Sequence, residues 1–285
     1  MRTVTYLGPE KTNTHLAALA RFGRQDRYLH APTVEDVFRL VEREEADFGV
    51  VPIENSLEGA VTHTLDRFIG FKKSPARIYG EVELPIQHYL IKHTAPLEKI
   101  RAIFSHPQAL AQCRGWLDKY YPRVDLIETF STADAVDRML AEPKKALNKF
   151  RSWDHTECAA IGRQELAKEY GLKAIPIPQD RENKTRFLVI SLRESPKGKW
   201  NKTSLLFTLK DKPGALHDAL VPFKNHRINL TKIESRPSKR KAWEYVFFID
   251  LEGHESEARV QRALKELKKC TSDFQILGSY PVQRG

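Results

Sequence analysis

The stretch Asp47–Val61, DFGVVPIENSLEGAV, decides how the rest of the chain is read. Phe48 to Ile53 is a short apolar run that predicts a buried strand. The apolar positions Leu57, Val61, Leu65, Phe68 and Ile69 predict a helix that follows at once. Between them stand Glu54, Asn55 and Ser56, with Gly59 in the expected first turn. In open α/β sheets, ligands gather at the carboxyl ends of strands, where helix N-termini present free N–H groups. One polar side chain suffices for a helix cap, and Asn55 or Ser56 could serve. A carboxylate, an amide and a hydroxyl in a row exceed that need and mark all three as candidates for holding a polar ligand.

The segment before it repeats the design. Tyr6-Leu-Gly-Pro-Glu10-Lys-Thr12-Asn-Thr14-His15 ends a strand, turns at Gly8-Pro9 and opens a helix among hydroxyls. A helix starting near Thr33, with Val34, Val37, Phe38 and Val41 on one face, leads back to Phe48. Strand and helix in alternation predict a parallel sheet. Past Pro75, strands over 78–84 and 87–92 open a second unit. There Ser105 and Gln108 have capping-box spacing, with Pro107 suited to a first helical turn and Gln112 one turn further. Ser131 and Thr132 form another polar turn, and 142–157 reads as a charged, irregular excursion. Two of the four polar turns come from each half, so they are expected to face a cleft between two subdomains. Such a cleft suits a small, multiply anionic ligand.

Residues 193–201 read as a linker, with Pro196 and Gly198. Beyond it the pattern is β-α-β-β-α-β, the ferredoxin-like order. The 285 residues therefore suffice for two or three domains. No apolar run approaches a membrane span, and Met1-Arg2 leads directly into a strand, so no signal or transit peptide is expected. Cys113, Cys158 and Cys270 lack metal-ligand spacing and read as reduced thiols of a cytoplasmic protein. The net charge of +10 is spread among interleaved acidic residues, which argues against a nucleic-acid face and for attraction of small anions. Dinucleotide, Walker, zincin and nucleophile-elbow motifs do not occur, so neither a cofactor nor a metal is expected.

Six segments in order, YLGPEKTNTH, VPIENSLEGAV, FSHPQALAQC, NKTRF, GALHDAL and ESRP, resemble monofunctional prephenate dehydratase with a C-terminal ACT domain. The resemblance implies an α/β catalytic region of two subdomains, like periplasmic binding proteins, over 1–195 (1–80 with 178–195, and 81–177). It implies an ACT regulatory domain over 202–282. The implied reaction is decarboxylating dehydration of prephenate to phenylpyruvate in phenylalanine biosynthesis. L-Phenylalanine is the implied effector, in a homodimer or homotetramer with no nucleic-acid or membrane partner. A related substrate, arogenate, is the alternative; a non-catalytic amino-acid sensor is a remoter one. Thr185 of the T-R-F motif takes the catalytic role in this resemblance. Thr12, Thr14, Glu54, Asn55, Ser56, Ser105, Gln112, Arg186 and Phe187 fall on the substrate site, although Arg186 and Phe187 also suit strand anchors. Asn55 and Ser105 would position the substrate from opposite subdomains. The effector site would comprise Pro213, Gly214, Ala215, Leu216, His217, Glu234, Ser235 and Arg236. Three departures stand out: Lys11-Thr12-Asn13 replaces the common Gly-Thr-Phe, Glu182 replaces an Asn, and 142–157 is longer and more basic.

Overall fold

A computed structural model describes residues 1–69, 74–93, 96–141, 153–178 and 182–282. The excursion expected over 142–157 falls mostly outside them. The chain forms two compact units, Met1–Leu84 with Thr185–Gly285, and Pro85–Lys184.

The first unit opens with β1 (Thr3–Leu7), α1 (Asn13–Phe22), β2 (Arg27–Ala31), α2 (Val34–Glu42) and β3 (Phe48–Asn55). Strand β1 pairs in parallel with both β2 and β3, as the alternation predicts. Thr33 caps α2, and Val34, Val37, Phe38 and Val41 are its buried face. The helix expected from Leu57 onward starts later. Strand β3 runs through Asn55, turns back as β4 (Gly59–Ala60), and only then enters α3 (Thr62–Ile69). Gly59, at φ 84°, supplies the left-handed residue this tight reversal needs. Leu57 is therefore exposed at the turn instead of buried on a helix. β5 (Arg77–Pro85) closes this part of the chain.

The second unit holds β6 (Tyr89–Lys92), β7 (Ala102–Ser105), α4 (Pro107–Gln112), α5 (Arg114–Tyr120), β8 (Asp125–Glu128), α6 (Thr132–Leu140), β9 (Cys158–Gly162), α7 (Gln164–Glu169) and β10 (Lys173–Pro176). Its sheet has the order β10-β6-β9-β7-β8. Leu90, Ile103 and Ile161 pack one face against Leu110 of α4, Leu117 of α5 and Cys113 between the two helices. Ile91, Phe104 and Ala160 pack the other against Val136 and Met139 of α6 and Leu166 of α7. Both faces are covered, hence the near-continuous apolar strands.

The chain then returns to the first unit as β11 (Lys184–Ser191), which lies antiparallel to β3 and completes the order β2-β1-β3-β11-β5. Next come β12 (Asn201–Leu209), α8 (Ala215–Asn225), β13 (Leu230–Pro237), β14 (Tyr245–Glu252), α9 (Ala258–Cys270) and β15 (Thr271–Pro281), the expected βαββαβ order, in a sheet β13-β14-β12-β15. Leu205, Phe207, Ile249 and Leu251 face the helices α8 and α9. Leu206, Val246, Phe248 and Leu277 face the other way and share one core with Val51, Ile53, Leu65, Phe68, Ile78 and Leu188. This C-terminal sheet is therefore packed onto the first part of the unit, not merely tethered by the linker. At Gly278 the contact is so close that a Cβ would run into the backbone of Ile78. No helix among the described residues is long and apolar enough to cross a membrane.

Candidate active site

Thr185 and Asn55 are cross-strand partners on β11 and β3. The Asn55 Oδ1 accepts the backbone N–H groups of Leu57 at 3.0 Å and Glu58 at 3.2 Å. Two N–H donors can only face an oxygen, so they settle which end of the amide is which. The Nδ2 end accordingly turns to Thr185 and donates to its Oγ1 at 2.9 Å. One of the hydroxyl's two lone pairs is thus occupied, and the Thr185 O–H, turned from Asn55, can donate elsewhere. Polarisation by the amide strengthens that donation.

The run Glu54-Asn55-Ser56 does not act as one group, because it lies on a strand end and not at a helix N-terminus. The β3–β11 register slips between Arg186 and Phe187, leaving Ile53 as an extra residue between Pro52 and Glu54. A bulge of this kind re-aims the side chains beyond it. Asn55 faces Thr185, whereas Glu54 faces Arg186 on the other side of the strands. Arg186 Nη2 donates to Glu54 at 2.9 Å, and Nη1 to Glu81 of β5 at 3.0 Å and Asp250 of β14 at 2.7 Å. Burial opposes the guanidinium's charge, but Asp250 and Glu81, with the neighbouring Tyr280, outweigh it and hold its pKa above the ordinary value. Glu54 and Arg186 are thus occupied with each other and with neighbouring carboxylates, which suits the strand-anchor reading better than substrate binding. Phe187 suits it too, being buried with Tyr6, Val50 and Val189. Ser56 is exposed at the turn.

Thr12, expected at the substrate site, is the N-cap of α1. Its Oγ1 accepts from His15 N at 3.3 Å and donates to Pro9 O at 3.0 Å, so local bonds use its hydroxyl. Thr14 is buried in the first turn. Lys11 has a left-handed φ of 67°. Its N–H donates to His15 Nδ1 at 2.9 Å, and His15 stacks on Tyr6 at 4.5 Å.

In the second unit the capping box expected at Ser105 and Gln108 is replaced. His106 is the N-cap of α4, its Nδ1 accepting from Gln108 N at 3.3 Å. Ser105 is the last residue of β7, fully buried, and donates to Ile161 O at 2.8 Å. Gln112 ends α4, and its Oε1 accepts from Asn183 Nδ2 at 3.0 Å and meets His88 Nε2 at 2.7 Å. His88 and Asn183 are both buried. Neither entered the sequence-based site. Asn183 stands in the NKTRF segment and was readable there; His88, 24 residues from Gln112, carries no local signal. Among the described residues no cluster of three or more His, Cys, Asp or Glu is placed to hold a metal ion.

At the C-terminal sheet, Gly214 caps α8 at φ 78°, a conformation that favours glycine. Ala215 and Leu216 line a cavity of about 680 Å³ with Lys210, Lys212, Trp243 and Tyr245. Glu234, Ser235 and Arg236 lie on edge strand β13, separated from β12 by β14. Arg236 approaches Asp66 of α3 at 4.0 Å.

Comparison with known proteins agrees with this organisation. A family profile described as Prephenate dehydratase matches residues 4–195, and one described as ACT domain matches residues 203–269. Over 98% of its length the chain is 46% identical to a bifunctional chorismate mutase/prephenate dehydratase of Aquifex aeolicus, spanning 73% of that protein. It is 42% identical to a prephenate dehydratase of Methanocaldococcus jannaschii, covering 88% of this chain and 86% of that one. The solved prephenate dehydratase of Arthrobacter aurescens, in complex with L-Phe, superposes with a TM-score of 0.84 at 33% identity, over 98% of this chain and 90% of that one. With both profiles matched in order and the Asn55–Thr185 pair assembled, the chain belongs to the prephenate dehydratase family and carries a C-terminal ACT domain.

Proposed function

We propose that this protein converts prephenate to phenylpyruvate, with Thr185 as the donor to the departing ring hydroxyl. The observation that carries the reading is the bond from Asn55 Nδ2 into Thr185 Oγ1. It consumes an acceptor position of the hydroxyl and aims its proton outward. In the reaction the bond from the ring to its carboxylate breaks and releases carbon dioxide. The electron pair enters the ring, the carbon–oxygen bond to the hydroxyl breaks, and the ring becomes aromatic. The leaving hydroxide takes a proton to become water. A threonine hydroxyl is a weak acid, so its contribution is a hydrogen bond that strengthens as charge grows on the leaving oxygen. The chemistry fits a cytoplasmic biosynthetic enzyme.

The effector reading is L-phenylalanine at the Gly214 turn. Lysines beside the cavity suit its carboxylate and Trp243 its ring. In one chain Glu234 stands two strands from β12, about 10 Å at the usual strand spacing. A second copy, bringing its own β13 edge, would supply the acidic group for the ammonium, which makes the working enzyme at least a homodimer. Purified protein mixed with prephenate, and separately with arogenate, tests the reaction. Phenylpyruvate absorbance should rise with prephenate, and absence of product from both substrates refutes the reading. Calorimetry with L-phenylalanine tests the effector site, and no heat at millimolar ligand refutes it.

A further inference from the structure

The ion cluster around Arg186 takes half its members from the ACT sheet. Lys232 of β13 pairs with the second Glu54 oxygen at 3.0 Å, and Lys202 of β12 holds Glu81 at 2.7 Å. Ser204 donates to the second Asp250 oxygen at 2.5 Å and meets the Tyr280 hydroxyl at 2.8 Å. Arg186, Lys202 and Lys232 thus balance Glu54, Glu81 and Asp250, and only Glu54, at 34%, has a side chain more than 12% exposed. A cavity of about 20 Å³, lined by Arg186, Lys232 and Asp250 among apolar neighbours, lies in the same seam. That is room for about one water.

Glu54 and Arg186 are the immediate chain neighbours of Asn55 and Thr185, and the two pairs sit side by side in one ladder. Fixing one pair fixes the backbone that presents the other. We propose that Lys232 and Asp250 are positioning residues for the dehydratase reaction, the ACT sheet holding Glu54 and Arg186 so that Asn55 and Thr185 are presented correctly. This rests on the reading of Thr185 as leaving-group donor. The ACT domain is then part of the support of the active site and not only a sensor appended to it.

Lys232→Met and Asp250→Asn each remove one charge with little change in volume. Turnover of prephenate should fall roughly 10- to 100-fold, the order that a displacement of about 1 Å costs. KM should change by less than about twofold, because the lost interaction matters in the transition state. Lys232→Arg should restore turnover. A purely structural role would lower the unfolding temperature and leave the kcat of the folded variants at the wild-type value, which overturns the proposal. Hydrogen exchange at the amides of Leu57 and Glu58, both held by Asn55, reports the same positioning without activity. Faster exchange in both charge-removing variants, at a temperature where they stay folded, supports the proposal, and unchanged exchange overturns it. A wild-type protein that makes no phenylpyruvate sinks the dehydratase reading, while the exchange result still decides the coupling.

Discussion

The two faces of the β3–β11 pair are one residue apart in sequence and opposite in physical character. On one, Asn55 bonds to Thr185, and Phe187 packs with Tyr6, on which His15 stacks. On the other, Glu54 and Arg186 join a balanced set of ions that binds β3, β5 and β11 to the ACT sheet. A weak donor such as a threonine hydroxyl works best where no fixed charge competes for its proton. Charges that tie elements together work best where they can be buried in pairs. Strand alternation, re-phased by the bulge at Ile53, lets adjacent residues serve both ends.

The contrast can be broken most severely on the charged side. Arg186→Met leaves three carboxylates facing two lysines and should cost about 3–5 kcal/mol of stability, as removing one partner of a buried ion cluster does. Urea denaturation measures it; a loss as small as that of Thr185→Ala would show that the two faces do not differ in this way. On the other side the effect should be kinetic. Thr185→Ala should lower kcat roughly 10²- to 10³-fold with KM nearly unchanged, and leave the fold intact by circular dichroism. Near-normal turnover removes Thr185 from the mechanism.

Asn55→Asp asks a finer question. The carboxylate still accepts from Leu57 and Glu58 but can no longer donate to Thr185, so the hydroxyl turns its proton inward. Turnover should fall roughly 10- to 100-fold, and a wild-type rate would refute the assigned direction of that bond. The smallest effect concerns His15. Burial lowers its pKa below the ordinary imidazole value, with Glu10 opposing, so the folded state favours the neutral ring. The unfolded chain then binds more protons, and stability rises with pH. The contribution is fully present above the unfolded value of about 6.5 and is lost as pH falls through the lower folded value. His15→Gln should flatten the urea midpoint between about pH 7.5 and about pH 5.5; an unaltered slope refutes the assignment.

Much of the architecture is legible in the sequence. The period of Val34, Val37, Phe38 and Val41 marks α2, and the βαββαβ order marks the C-terminal sheet. Both depend on local periodicity, which the chain carries in its own spacing. The helix start expected at Glu54–Ser56 lies instead at Thr62, because an Asn-headed turn and a helix cap draw on the same residues. The Ser105 cap went to His106 because a strand's last residue can bond across the sheet instead.

The sequence by itself determined that this chain is a two-part α/β catalytic region with an ACT domain, and that Thr185 opens a strand. Motif order and hydrophobic period are written along the chain and need no contact between distant residues. Only the tertiary structure decided that Asn55 donates to Thr185 across 130 positions and that Arg186 meets Asp250 across 64. Such pairings depend on sheet register, and a single bulged residue reverses which face a side chain takes. No local pattern encodes that choice, because it is settled by the packing of strands that are far apart in sequence.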